Sequence, residues 1–184
     1  EAIQAGLEIQ LNGETLTAAR PALQSSALIT PIHRRMTITV DGGEVEAVVM
    51  AGTVRPRRRG SEEPLDDGDA ENFPEPGDAG WYLFCNDRLL ISADRSSLTG
   101  WGDPAAAYHP QYRLFRGFAY LYADDASLRP WNTTKTAVDR DSQVFRRVQS
   151  EMKTALVEVQ AAINRLKKDR ERRQEDETDP SDLD

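Results

Sequence analysis

Val144, Val148, Met152, Ala155, Val159, Ile163 and Leu166 recur at alternating steps of four and three. That spacing places them on one face of a single long helix. A helix with one apolar face has to bury it, so the rest of the chain must supply an apolar surface of matching length. Asp139, Asp141 and Ser142 stand just before the stripe, where capping side chains and acids favour a helix start. The pattern predicts a helix from about Asp141 to about Arg170.

The matching surface is written upstream as short alternating runs. Leu7-Glu8-Ile9-Gln10-Leu11 alternates apolar and polar residues, Asn12-Gly13 supplies a turn, and Glu14-Thr15-Leu16-Thr17 resumes the alternation. This is the signature of a hairpin. A second hairpin is predicted from Met36-Thr37-Ile38-Thr39-Val40, the turn Asp41-Gly42-Gly43 and a strand from Val45 to Val54. A third joins Trp81–Cys85 to Leu89–Ala93 across Asn86-Asp87-Arg88. A last strand lies between Phe115 and Tyr122. Strands followed by one major helix indicate an α+β layer: a mostly antiparallel or mixed sheet of four or more strands, with the helix on one face.

With 184 residues, the chain suits one domain with appendages. Residues 55–80 hold four prolines, several glycines and many charges. They read as a long flexible loop, because such a composition has little apolar surface to bury. Residues 174–184 are acidic and read as a disordered tail. The expected organisation is one α+β domain over residues 1–173, with the loop inside it and the tail after it.

The formal net charge is -8, which argues against a chain built mainly to coat DNA or an anionic membrane. No run approaches the roughly 18 apolar residues of a membrane helix. One cysteine, Cys85, leaves no intramolecular disulfide and fits a reducing compartment, so a cytoplasmic location is expected. The first residues are Glu1-Ala2-Ile3-Gln4, and the chain reads as a piece of something longer.

The usual catalytic signatures do not appear. His33 and His109 are the only histidines, and no Cys/His spacing suits zinc. No nucleophile elbow or phosphate-binding glycine loop is present. Cys85 lies in an apolar run and reads as a buried thiol. Asp124-Asp125 reads as a solvated turn, since adjacent strand residues point apart.

Two basic features remain. Arg55, Arg57, Arg58 and Arg59 form a cluster that suits phosphates, although the acids of residues 61–78 follow at once and oppose an anionic partner. Arg129-Pro130-Trp131-Asn132-Thr133-Thr134-Lys135-Thr136 joins the last strand to the helix. It gathers hydroxyls, an amide and one ammonium. Lys135 reads either as an exposed lysine in a polar turn or as a point charge offered to a phosphate.

Four blocks carry a resemblance: Gly80-Trp81-Tyr82-Leu83-Phe84-Cys85-Asn86, Leu98-Thr99-Gly100-Trp101-Gly102, Phe115-Arg116-Gly117-Phe118, and Pro130-Trp131-Asn132-Thr133-Thr134-Lys135-Thr136-Ala137-Val138-Asp139. In this order they resemble the second domain of bacterial ATP-binding proteins of the gyrase–Hsp90–histidine kinase–MutL (GHKL) superfamily, of the MORC-like kind. The likeness runs from about Leu7 to about Leu166, and the last block is its most specific piece. The resemblance implies a fold like ribosomal protein S5 domain 2, the transducer. In that family a lysine from the strand-to-helix loop reaches the γ-phosphate of ATP held by a neighbouring domain. Lys135 matches that lysine, and Thr133 and Thr134 precede it. Topoisomerases place glutamine where Thr133 stands.

The family's own ATP cradle, with its Glu-x-x-x-Asn helix and Asp-x-Gly-x-Gly loop, is not in these residues. The resemblance therefore implies ATP and Mg2+ as cofactors of an intact parent, neither held by this fragment alone. It also implies an N-terminal ATPase domain as partner, a homodimeric parent and no membrane. The alternative is a non-catalytic module that binds nucleic acid or protein through Arg55, Arg57, Arg58 and Arg59 and the basic end of the helix at Lys167, Lys168 and Arg170.

Overall fold

Antiparallel pairing joins strands that follow one another in the chain. β1 (Gln10–Leu11) and β2 (Glu14–Thr15) pair antiparallel as a small separate sheet, with Gln10 opposite Thr15 and Leu11 opposite Glu14. β3 (Ile32–Val40) turns into β4 (Gly43–Thr53) at Asp41-Gly42, and Val40 lies opposite Gly43. Gly42 has φ 102°, the left-handed conformation that such a turn demands. β5 (Gly80–Cys85) turns into β6 (Arg88–Asp94), with Cys85 opposite Arg88. The computed structural model describes residues 10–11, 14–15, 23, 25, 29–54, 78–86, 88–132, 134 and 136–178. The strand pairing of all three predicted hairpins is found, although residues 7–9, 12–13 and 16–17 of the first and residue 87 of the third lie outside the described residues.

The hairpins are joined by a strand that comes late in the chain. β7 (Phe115–Tyr122) inserts between β4 and β5, which gives the order β3-β4-β7-β5-β6. It runs antiparallel to β4 and parallel to β5. The five-stranded sheet is therefore mixed.

One helix, α1 (Gln143–Thr178), covers one face of this sheet. Along β4, Val45, Ala47, Val49 and Ala51 are buried, while Glu44 and Glu46 are exposed. The period of two sends alternate side chains to opposite faces. Trp81, Leu83 and Cys85 of β5 and Phe115, Ala119 and Leu121 of β7 join the same core. From α1 come Val144, Phe145, Val148, Met152, Ala155, Leu156 and Val159. Ile163 is only partly buried and packs at the margin.

The segment between β6 and β7 closes the end of the core. Trp101 and Tyr112 are buried there, and Trp101 meets the Phe115 ring edge-on at 5.3 Å. Two glutamines of α1 hold the segment. Gln149 Nε2 donates to the Leu98 carbonyl at 2.7 Å. Gln160 accepts from the Ala106 N–H at 2.9 Å and donates to its carbonyl at 3.0 Å.

Two boundaries differ from the sequence reading. α1 continues to Thr178, past the expected end near Arg170 and into residues 174–184. Its far part is rich in Lys, Arg, Glu and Gln, which propagate a helix without burial, and Lys167 pairs with Glu171 one turn on at 3.7 Å. At the other boundary, Ala79 and Gly80 are buried parts of the fold, although residues 55–80 read as loop. Gly80 has φ 133°, and a Cβ there would lie 2.6 Å from the backbone of Ala93 and Asp94. Its glycine marks a close approach of β6. Residues 55–77 lie outside the described residues.

Candidate functional site

The connection from β7 to α1 is tied down at its base. Arg129 donates from Nε to the Ala123 carbonyl and from Nη2 to the Asp124 carbonyl, both at 3.1 Å. Its guanidinium lies 5.2 Å from the centre of the Trp131 ring. Pro130 is buried. Trp131 and Val138 then face each other as an antiparallel bridge. Hydrogen bonds of 2.9 Å close it on both sides, from Asp139 N to the Pro130 carbonyl and from Asn132 N to the Ala137 carbonyl.

Above this bridge the Asn132 side chain braces the loop from inside. Its Oδ1 accepts from Thr136 N at 3.0 Å, Ala137 N at 3.3 Å and the Thr134 hydroxyl at 3.1 Å. The Thr134 and Thr136 hydroxyls lie 2.8 Å apart, and Asn132 Nδ2 donates to Thr136 Oγ1 at 3.5 Å. Asparagine suits this position because its short side chain reaches backbone N–H groups a few residues ahead.

The loop leads directly into α1. Asp139 Oδ1 accepts from Asp141 N at 3.0 Å, and Ser142 Oγ accepts from Phe145 N at 3.4 Å as a helix cap. Asp141 pairs with Arg146 at 2.8 Å. Among the described residues, hydrogen bonds thus recur from Pro130 to the first turn of the helix.

Thr134 and Thr136 are exposed, and Asn132 is half-buried. The loop offers polar groups to one side of a ligand rather than walls around one. Such a shape suits a single added contact to a ligand held elsewhere. Of the residues expected to act on phosphate, Thr134 is described, and its hydroxyl is engaged within the loop. Thr133, Lys135, Arg55, Arg57, Arg58 and Arg59 lie outside the described residues.

A second surface, the sheet face opposite α1, escaped the sequence reading. Tyr82 and Phe84 of β5 and Phe118, Tyr120 and Tyr122 of β7 share this face. Phe84 stacks with Tyr120 at 5.0 Å and Tyr82 with Phe118 at 5.6 Å. Tyr120 and Tyr122 stack within one strand at 6.4 Å. The signal in the sequence was aromatic residues at every second position of both strands, which parallel pairing of β5 with β7 then brings side by side. Arg116 lies at one end of this face and donates to the carbonyls of Phe115 at 2.8 Å and Arg113 at 3.1 Å. Burial lowers its pKa from the ordinary guanidinium value. Burial likewise raises that of Tyr82, whose hydroxyl donates to the Asp78 carbonyl at 2.8 Å.

No protein-family model matches this chain, and no curated protein matches it significantly.

The remaining titratable candidates have local structural roles. Cys85 is buried, and burial raises its thiol pKa against the opposing charge of Arg129. His109 is exposed, and its Nδ1 accepts from Gln111 N at 3.3 Å as a turn cap. Asp124 and Asp125 are both exposed, and Asp125 caps the next turn by accepting from Ser127 N at 2.7 Å. That bond holds the Asp125 carboxyl below its ordinary pKa. Among the described residues, no group of three or more His, Cys, Asp or Glu stands together to hold a metal. No described helix is long and apolar enough to cross a membrane.

Proposed function

We propose that this chain is a transducer-like domain, with an S5 domain 2-like fold, of a GHKL-type ATPase. In this reading the loop between β7 and α1 presents Lys135 to the γ-phosphate of ATP. The nucleotide and its Mg2+ are held by a separate ATPase domain, and the intact protein is a dimer. The observation that carries the reading is the loop itself. It is braced by Asn132, exposed at Thr134 and Thr136, and joined without a break to the capped start of α1.

Such a loop suits a nucleotide sensor. An ammonium held beside the γ-phosphate favours a closed arrangement of two domains and stabilises negative charge where it develops. Loss of the γ-phosphate removes that attraction. A loop bonded into a helix start then passes the change to a rigid element.

The test is steady-state ATP hydrolysis by the full-length polypeptide that carries this domain. Lys135→Ala should lower turnover roughly 10²–10³-fold, as removal of one such electrostatic donor does. Lys135→Arg should restore part of it, because a planar fork does not reproduce a compact ammonium. Equal turnover by wild type and Lys135→Ala would overturn the reading.

A binding module is the second reading, and the far part of α1 favours it. Lys167, Lys168 and Arg170 are all exposed there, beyond the buried stripe. A strong fall of nucleic-acid affinity with salt, reduced when these three are replaced by alanine, would support it.

A further inference from the structure

We propose that the sheet face opposite α1 binds single-stranded nucleic acid. Bases stack on the aromatic rows of β5 and β7, and Arg35 and Arg116 meet phosphates. Neither Lys135 nor the exposed basic end of α1 takes part, so this site is separate from those of the proposed function.

Strand register places the rings. Tyr82 of β5 lies beside Phe118 of β7, and Phe84 lies beside Tyr120. The ring planes of these pairs are 23° and 11° apart. Along β7 the planes of Phe118 and Tyr120 differ by 21°, and those of Tyr120 and Tyr122 by 5°. The five rings share nearly one stacking direction, which a flat base can extend. Tyr82, Phe84 and Tyr120 are half-buried and Tyr122 is 43% exposed, so the rows reach solvent. Every base has a π-face, and an unpaired strand can splay that face onto a protein ring.

The charges of this face fit a phosphate chain. Arg35 lies opposite Val48, which lies opposite Tyr120 on its other side. The period of two therefore sets Arg35 on the aromatic face, whereas its neighbour Arg34 pairs with Glu151 and Glu158 of α1. Arg35 is exposed and has no ion-pair partner among the described residues. Arg116 is half-buried near the start of β7. Its Nη1 donates to two carbonyls, which fixes the guanidinium, and among the described residues it too has no ion-pair partner. The charged side chains that influence it, Asp78 and Arg95, are of opposite sign. A cation partly withdrawn from water without an anion is costly, and a phosphate supplies that anion. Glu46 lies opposite Tyr122 and repels phosphate at that end of the rows.

By strand spacing and rise, positions 35 and 116 stand about 16 Å apart, a span suited to a few nucleotides. The test is fluorescence anisotropy of labelled oligo(dT) with the full-length polypeptide, compared with the oligo(dT)·oligo(dA) duplex. The single strand should bind more tightly than the duplex. Two phosphate contacts give a shallow log–log salt slope of about -1.4. Tyr120→Leu keeps apolar bulk without a ring face and should weaken binding roughly 5–100-fold, the worth of one stacked base. Arg35→Gln changes an exposed side chain and leaves the fold intact. It should weaken binding and make the slope shallower by about 0.7. Lys167→Ala, Lys168→Ala and Arg170→Ala should change neither quantity.

Binding that survives Arg35→Gln and Tyr120→Leu but is lost with the three replacements in α1 would move the contact to the helix and overturn the proposal. So would a wild type that binds no strand, or one that prefers the duplex. Self-association broken by Tyr120→Leu, with no strand bound, would assign the face to a second copy and overturn it as well.

Discussion

Gly117 has no room for a methyl group. A Cβ there would lie 2.3 Å from the Trp81 ring, which packs flat against this point of β7. Trp81 is fully buried, so the ring has nowhere to retreat. Gly117→Ala should destabilise by roughly 1–3 kcal/mol, the usual cost of overpacking, read as a lowered denaturant midpoint. An unchanged midpoint would show that the contact yields. Cys85 makes a second prediction at this scale. Its folded pKa is raised by burial, so the folded state holds the proton longer than the unfolded one. The stabilising effect is complete below the unfolded thiol pKa of about 8.5 and is lost as pH rises through the higher folded value. A thiol reagent at pH 8 should label the native protein slowly and the urea-unfolded protein at once. Fast native labelling would contradict the burial.

At the scale of elements, α1 has two halves with different physics. Val148, Met152 and Leu156 are fully buried. Met152→Ala should cost about 2–5 kcal/mol, through lost transfer energy and the cavity left behind. The same helix makes ion pairs with the edge strand, Arg34 to Glu151 at 3.0 Å and to Glu158 at 2.5 Å. These side chains are 30–48% exposed, so solvent screens them. Arg34→Ala should cost at most about 1 kcal/mol, and raising the salt should shrink the difference. A larger loss for Arg34→Ala than for Met152→Ala would reverse this ranking. Beyond Leu166, the described side chains of α1 are exposed through Gln174. A chain ending at Leu166 should therefore melt within about 2–4 °C of the full one, the shift expected for 1 kcal/mol at this size.

At the scale of the molecule, β7 joins what would otherwise be two separate hairpins. The β3-β4 and β5-β6 units reach each other in the sheet only through it. A hairpin alone is marginal in water, so the strands upstream gain a stable sheet only when β7 arrives between them. Ala119 sits mid-strand, opposite Val49 on one side and Leu83 on the other. A proline there lacks the N–H of a central ladder position. Ala119→Pro should abolish the single cooperative unfolding transition seen by near-UV circular dichroism, whereas the same change at the exposed Thr39 of edge strand β3 should leave it in place.

The three hairpins, the last strand and the buried face of α1 were legible in the sequence because their signals are local. Alternation, Asn-Gly and Asp-Gly turns, and a stripe at steps of three and four act between residues close in the chain. The sequence by itself also marked the block from Pro130 to Asp139 as the piece most able to carry chemistry. Its internal geometry was not legible, because Asn132 becomes a brace only once Trp131 and Val138 face each other. The order of the sheet had no local signal either. Nothing in the residues of β7 names its neighbours; its place is set by which apolar faces meet under α1. That placement also created the aromatic rows, since Tyr82 and Phe84 lie far in sequence from Phe118 and Tyr120 until β5 and β7 pair. Short-range periodicity determined the elements, and burial of their apolar faces against one helix decided how they were joined.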